Sequence, residues 1–487
     1  MRKFCLIFIL LGFIIPNNIY AQSFEEYRKR IMSEFNSYKE QTQKDFEEYR
    51  KRINAEYAEF LKRAWTKTEV QPEIPTPKPN PPVQPVFNPK DKIVPQTKVP
   101  TINIPPHITA PQAPQAKPAQ PIPTNIVPAQ TITVDFFGAE CTLRADKSAL
   151  AMELVDDSEN SVSKCWSMLS DGRANALIND CLDLREQLNL CDWAYYELLQ
   201  HVTGNIYGNK SSREAIVLQA YIMTQSGYQV RFGRTKDGLL LLMSTNATVY
   251  ATPYVLIDGS KYYALGRVAE SIYICNFKFP GESVLSLKMS SLPTLPIDTI
   301  RGRELHSPKM NEAKITINHN RNLINFLGSY PRCSIENFVN ASLDSLAKQS
   351  LYPTLQGLIA NKSEEVAANI LIDFVQKAFQ YKVDDEQFGE ERTLFANETL
   401  YYPYSDCEDR SLLYATLVKD LLGLDVVLLD YPEHIATAVK FNDDIDGDCV
   451  LINDEKYLIC DPTYIGADIG CAMPQYRNVA VNVIRMN

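Results

Sequence analysis

The sequence predicts an α+β chain of several modules, and three observations predict it. An 11-residue repeat near the start reads as one long helix, a proline-rich stretch follows it, and the rest holds two similar helix-then-strand segments. At 487 residues and 45% apolar content the chain exceeds what one core usually covers, roughly 250 residues. A formal net charge of −10 with no Lys/Arg block leaves no electrostatic footprint for DNA or RNA, so nucleic acid is excluded as a partner class.

Residues 1–21 begin with Arg2 and Lys3, run apolar from Phe4 to Ile15 and end in the small-residue stretch closing at Ala21, the pattern of a secretory signal peptide. The apolar run of about 12 residues is short of the ~20 a membrane-spanning helix needs, so no transmembrane segment is expected in the mature chain. The mature protein is expected to start near Gln22 and to be exported to the periplasm or cell surface. Of 11 cysteines only Cys5 is lost on processing; the rest are scattered rather than packed into a disulfide framework.

Over residues 22–66, Phe24, Phe35, Phe46 and Tyr57 recur every 11 residues, each followed three residues later by Tyr27, Tyr38, Tyr49 and Phe60. Ile31, Thr42, Ile53 and Ala64 complete the repeat. These positions share one helical face, and 11/3 slightly exceeds 3.6 residues per turn, so a straight or slightly right-handed coil is expected. Acid-first pairs such as Glu25 with Lys29 and Glu47 with Lys51 support the helix. Such a helix has no core of its own for its aromatic stripe. Self-association into a homo-oligomer is the preferred expectation, with docking onto the protein's own globular part as the alternative.

Residues 67–130 form a proline-rich linker in the expected organisation: Pro72 to Pro128 holds 18 of the chain's 30 prolines. As free polyproline II, roughly 60 residues would reach on the order of 180 Å.

Ordered sequence resumes near Ile132, in an expected first domain over 131–295 and a second over 296–487. The run from Ser211 to Gly227 resembles that from Cys407 to Gly423; each leads into an apolar strand and later into a second strand, ending at "DGSKYYALG" and "NDEKYLICDP". The similarity suggests a duplicated domain. In the first copy Ser211 stands for the cysteine, the following strand has no histidine, and Gly266 stands for Asp461. That copy would lack thiol chemistry.

In the second copy, Ser405 or Asp406 can cap a helix whose Leu412, Leu413, Leu417 and Leu421 recur at helical spacing, and Gly423 can stop it. Cys407 therefore sits at a helix N-terminus, where the dipole and free N–H groups favour a thiolate and can hold an oxyanion. Asp406, Glu408 and Asp409 act against this by like charge. His434, the only histidine after Cys407, opens the strand "HIATAVKF", and Asp461 closes the strand "KYLIC". Antiparallel neighbours would bring His434 and Asp461 together provided "CVLIN" does not lie between them.

The cysteine in "SDCEDRS", the histidine in "EHIATAV" and the aspartate in "ICDPT" resemble, in this order, the transglutaminase-like superfamily, over roughly residues 360–470. The resemblance implies a papain-like fold with Cys407 as nucleophile, His434 as base then acid, and Asp461 orienting the imidazole. It implies an amide hydrolase or acyltransferase working through a thioester, on a peptide, protein or cell-wall peptide substrate, without a cofactor. The tryptophan that animal-type members use at the oxyanion has no counterpart, since Trp65, Trp166 and Trp193 lie far upstream. Tyr401, Tyr402 or Gln387 are the candidates for that second donor. No metal is expected: the acidic run Asp443 to Asp448 has its glycine misplaced for a helix-loop-helix calcium site and reads as a polar hairpin loop. The competing expectation is a non-catalytic envelope scaffold in which Cys407 is disulfide-bonded to Cys449, Cys460 or Cys471.

Overall fold

The computed structural model describes residues 20–77, 84–90, 96, 98–104, 116–118, 122–124, 126, 128–266, 268 and 271–486; the expected signal peptide lies outside them as far as residue 19. The 11-residue repeat forms one continuous helix, α1 (Tyr20–Leu61), of 42 residues. Its two ends meet different surroundings. Phe24, Tyr27, Phe35 and Tyr38 stand in solvent, 54–73% exposed, while Tyr57, Ala58 and Leu61 are buried. Tyr57 packs on Trp166, Phe277 and Phe279 with ring centroids 4.5, 5.0 and 4.9 Å away. Asn54 Oδ1 accepts from Trp166 Nε1 at 3.1 Å, which gives the buried indole its partner. Docking onto the globular part therefore uses only the C-terminal turns. No described helix is long and apolar enough to cross a membrane.

The fold is mixed α and β, dominated by antiparallel sheets. Its strands in chain order are β1 (Thr66–Glu69), β2 (Thr101–Ile102), β3 (Val230–Thr235), β4 (Gly238–Ser244), β5 (Tyr254–Ile257), β6 (Ser260–Ala264) and β7 (Ser271–Cys275). Then follow β8 (Asp425–Tyr431), β9 (His434–Lys440), β10 (Cys449–Ile452), β11 (Glu455–Cys460) and β12 (Asn482–Arg485). The first sheet runs β1-β7-β3-β4-β6-β5 and the second β12-β8-β9-β11-β10-β2. Setting aside β1 and β2, the five remaining strands have the same order and antiparallel sense in both sheets. Each sheet follows a buried helix, α2 (Arg213–Gln225) and α3 (Cys407–Leu422). Smaller two-stranded pairs lie outside these sheets, such as Thr131–Phe136 with Ala139–Arg144.

Both helices end as their sequences dictate. Ser212 caps α2 by accepting from Ala215 N, and Gly423 stops α3 in the left-handed region at φ +68°. Gly227, after α2, is held doubly: its φ is +92°, and a Cβ there would come within 2.8 Å of the Lys117 carbonyl oxygen.

That contact belongs to a wider departure from the free spacer expected over residues 67–130. The described parts of this segment lie along the body. Strand β1 pairs with β7 and strand β2 with β10, so one segment supplies an edge to each sheet. Gln84 donates to the Gln376 and Thr463 carbonyls, and Gln96 to those of Cys449 and Arg477. Ala116 and Ile122 are buried, and their carbonyls accept from Arg185 and Asn179. One connected apolar core runs through both halves, from Trp166 and Phe232 through Met289 and Phe326 to Leu371 and Leu413.

Candidate active site

Cys407 is the first residue of α3, with Asp406 extended before it. The helix start is tied down from two sides. Asp409 accepts from Leu394 N at 2.8 Å and from Asp406 N at 3.5 Å. The buried Arg410 guanidinium donates to Ser405 Oγ and to the carbonyls of Gln376 and Phe379. As the first helical residue, Cys407 has a backbone N–H with no intrahelical acceptor, a donor available to a developing oxyanion.

His434 is placed by a tight hairpin. Tyr431 pairs directly with His434, leaving only Pro432 and Glu433 in the turn, and Glu433 takes φ +63°. Proline followed by a residue of positive φ is the sequence chemistry of such turns, though glycine is the usual second residue. The next neighbour of β9 is β11, with Thr437 opposite Cys460, while β10 lies beyond β11 and does not intervene. This register puts Asp461 one diagonal step from His434.

His434 Nε2 lies 3.0 Å from Asp461 Oδ2, with side chains 1% and 2% exposed. A carboxylate only accepts, so Nε2 carries the ring proton and Nδ1 is left as the base; Nδ1 is buried without a hydrogen-bond partner. Thr463 N donates to the other Asp461 oxygen at 2.9 Å, and Gln376 donates to the Asp461 carbonyl, so the carboxylate is held. The imidazole stacks on Tyr476, centroids 4.8 Å apart and planes at 14°.

Cys407 and His434 line the same cavity, of about 140 Å³. Its walls also include Tyr250, Glu336 and Thr76, so the first sheet's half, the connecting region and the segment after α1 all contribute. Among the described residues the wall carries Glu336, Glu408, Asp430 and Glu433 and no lysine or arginine. None of the ten described cysteines, Cys407 included, is in a disulfide.

The thiol itself is held back. Its S–H donates to Glu408 Oε2 at 3.0 Å. Burial first, then the Glu408 and Asp406 carboxylates, push its pKa well above the ordinary thiol value, against the opposing backbone N–H of Ile435. The helix N-terminus does not by itself produce a thiolate here, because burial and then the two neighbouring carboxylates oppose it.

The structure thus brings Cys407, His434 and Asp461 together, but it does not bring Tyr402 or Gln387 to the cavity. Tyr402 packs edge-on against Phe388 with centroids 5.1 Å apart, and the Gln387 amide is buried without a partner at the end of a short helix. Both project from the segment before Cys407, where closeness in sequence does not fix direction. Tyr476 is the residue sequence reasoning missed; it follows Asp461 by 15 positions, and only the fold returns it to the imidazole face. Comparison of the chain with family models, with curated proteins and with solved structures finds no match.

Proposed function

We propose that this chain is an exported cysteine-dependent amide hydrolase or acyltransferase of the transglutaminase-like kind, with Cys407, His434 and Asp461 as its triad. The observation that carries the reading is the buried Asp461–His434 pair, whose unpartnered Nδ1 shares a cavity with a free cysteine at a helix N-terminus. An open ring nitrogen alone does not mark a base, since buried His319 leaves its Nδ1 open too; what sets His434 apart is the carboxylate on Nε2 and the thiol that shares its cavity.

In the proposed cycle the Sγ–H turns from Glu408 to His434 Nδ1 and gives up its proton. The sulfur attacks the amide carbonyl, and the developing oxyanion takes the Cys407 N–H. The C–N bond breaks as the imidazolium returns the proton to the leaving amine, leaving a thioester that water or a second amine resolves. Asp461 stabilises the imidazolium and keeps the proton on Nε2. The four carboxylates of the described wall favour peptide substrates bearing an amino or guanidino group beside the scissile bond.

The shared strand order supports a further part of this reading, that the two halves are copies of one papain-like domain, the first of them non-catalytic. Gly238 opens β4 as His434 opens β9, each after a two-residue turn. With Ser211 and Gly266, it lines a separate cavity of about 280 Å³.

The test is Cys407→Ala. Iodoacetamide labelling of the Cys407 peptide and hydrolysis of a basic-peptide library should both vanish, with circular dichroism unchanged. Retained hydrolysis would refute the mechanism. A Cys407 disulfide in native protein would favour the scaffold alternative.

A further inference from the structure

We propose that the cavity beside α2, in the first half of the chain, binds an amide group with an aliphatic neighbour, from a peptide that it holds without cleaving. This cavity of about 280 Å³ is lined by the helix Asp192–Tyr207, by α2 and by the start of β4. It has twice the volume of the one that holds Cys407, and it approaches the size of small-molecule clefts.

Its polar wall is a chain of hydrogen bonds whose direction is fixed at one end. A carbonyl only accepts, so the Lys210 carbonyl must take its 2.8 Å bond from the Gln219 amide nitrogen, which also donates to Thr203 Oγ1 at 2.8 Å. Gln219 Oε1 is thereby turned to Gln200 Nε2, which donates to it at 2.8 Å and to the Tyr196 hydroxyl oxygen at 2.7 Å. Tyr196, Gln200 and Gln219 are all buried, at 6%, 7% and 1% exposed. Two groups are left over. Gln200 Oε1 has no donor, and the Tyr196 O–H no acceptor, among the described residues.

An acceptor and a donor on two adjoining side chains complement an amide. The ligand N–H would donate to Gln200 Oε1, and the ligand carbonyl would accept from the Tyr196 O–H. Water can pair with each group singly, but one amide pairs with both while ordering a single molecule.

The rest of the lining says what else the ligand carries. Ile216, Leu239 and Leu265 offer an apolar wall to an aliphatic group beside the amide. The hydroxyls of a sugar would find no partners there and would be costly to bury. No cysteine or histidine lines the cavity among the described residues, and Lys210 and Ser211 stand exposed on its rim. Nothing there activates an attack on the carbonyl, so the amide is held intact. The binding claim rests neither on the hydrolase reading nor on the duplication.

The test uses the full-length protein with Cys407→Ala, so that the proposed triad turns nothing over, and saturation-transfer NMR. The probes are N-methylisovaleramide for a backbone amide, isovaleramide for a side-chain carboxamide, and methyl isovalerate, which lacks the N–H. Saturable binding of at least one amide with a Kd of about 1 mM is expected, and the stronger of the two identifies the source. The ester should bind at least ~5-fold more weakly, and Tyr196→Phe should weaken the amide at least ~5-fold. Circular dichroism checks the fold. Ser211→Trp, whose position makes no bond to the buried chain, should close the mouth and abolish binding even if Tyr196→Phe does not fold. The proposal is overturned if neither amide binds, if the ester binds equally well, if binding survives Ser211→Trp, or if maltose binds where the amides do not. Amide binding in a protein whose wild-type Cys407 never labels with iodoacetamide leaves this site standing and removes the thiol enzyme; labelling without amide binding does the reverse.

Discussion

Asp461→Asn tests the triad at the point where its magnitude can be worked out. The side chains of His434 and Asp461 are 1% and 2% exposed, and Nε2 lies 3.0 Å from Oδ2. When the imidazole takes the Cys407 proton, an imidazolium stands against a carboxylate with charge centres about 4 Å apart, worth about 4 kcal/mol at an effective dielectric near 20. Asparagine keeps the shape, but its single oxygen can accept from Thr463 N or from Nε2–H and not both, so at most a neutral hydrogen bond of about 1 kcal/mol remains to the imidazole. The loss of about 2–3 kcal/mol corresponds to a roughly 30- to 160-fold slower formation of reactive thiolate. The assay is the rate of iodoacetamide labelling of Cys407, read by mass on its own peptide because nine other described cysteines are present. The melting temperature should move by only a few degrees. A labelling rate within about twofold of wild type, in a folded protein, would refute a working Asp461–His434–Cys407 relay.

The exposed stripe of α1 predicts self-association: in sedimentation the full chain should be oligomeric, and replacing Phe24, Tyr27, Phe35 and Tyr38 by serine should make it monomeric. A wild-type monomer would end the coiled-coil reading. Tyr57→Ala removes a ring that touches three aromatic partners and should cost about 3–5 kcal/mol in urea unfolding, showing that the last turns of α1 belong to the folded body. His319 is buried neutral, its pKa pushed down to about 4 by burial first and by Arg303 second. The unfolded chain takes up that proton between about 6.5 and about 4 while the folded one does not, so stability should fall as pH drops through this window. His319→Gln should flatten that part of the melting-temperature profile.

The placement of the three proposed triad residues was legible because three local signals each survive without tertiary knowledge. A cap and a leucine period place Cys407 at a helix start, and apolar strands begin at His434 and end before Asp461. The one uncertain step was whether Cys449–Ile452 separated the two strands, and the register decides it, since that strand pairs on the far side of Glu455–Cys460. Glu408 was visible as an opposing charge, but not as the acceptor of the thiol proton, because that depends on a rotamer. Tyr250 and Thr76, which reach the cavity, and Tyr476, which reaches the imidazole face, carry no periodic or motif signal and arrive only through chain crossings that sequence spacing does not encode.

The proline-rich segment shows where composition stops being informative. Proline fixes φ and removes an N–H, so a run of prolines specifies an extended backbone with few donors to satisfy. That description fits a free rod, and it fits equally a strap laid on a folded surface, where the scarcity of donors lowers the cost of covering the chain. The choice is made by the residues between the prolines. Thr66–Glu69 and Thr101–Ile102 have the donors to extend two sheets, Gln84 and Gln96 reach carbonyls of the second half, and Ala116 and Ile122 are small or apolar enough to bury. Because Thr76 then lines the cavity that holds Cys407, the strap is part of the site and not only its tether. Cutting the chain within 67–77 should therefore alter labelling at Cys407, an outcome a free spacer would not produce.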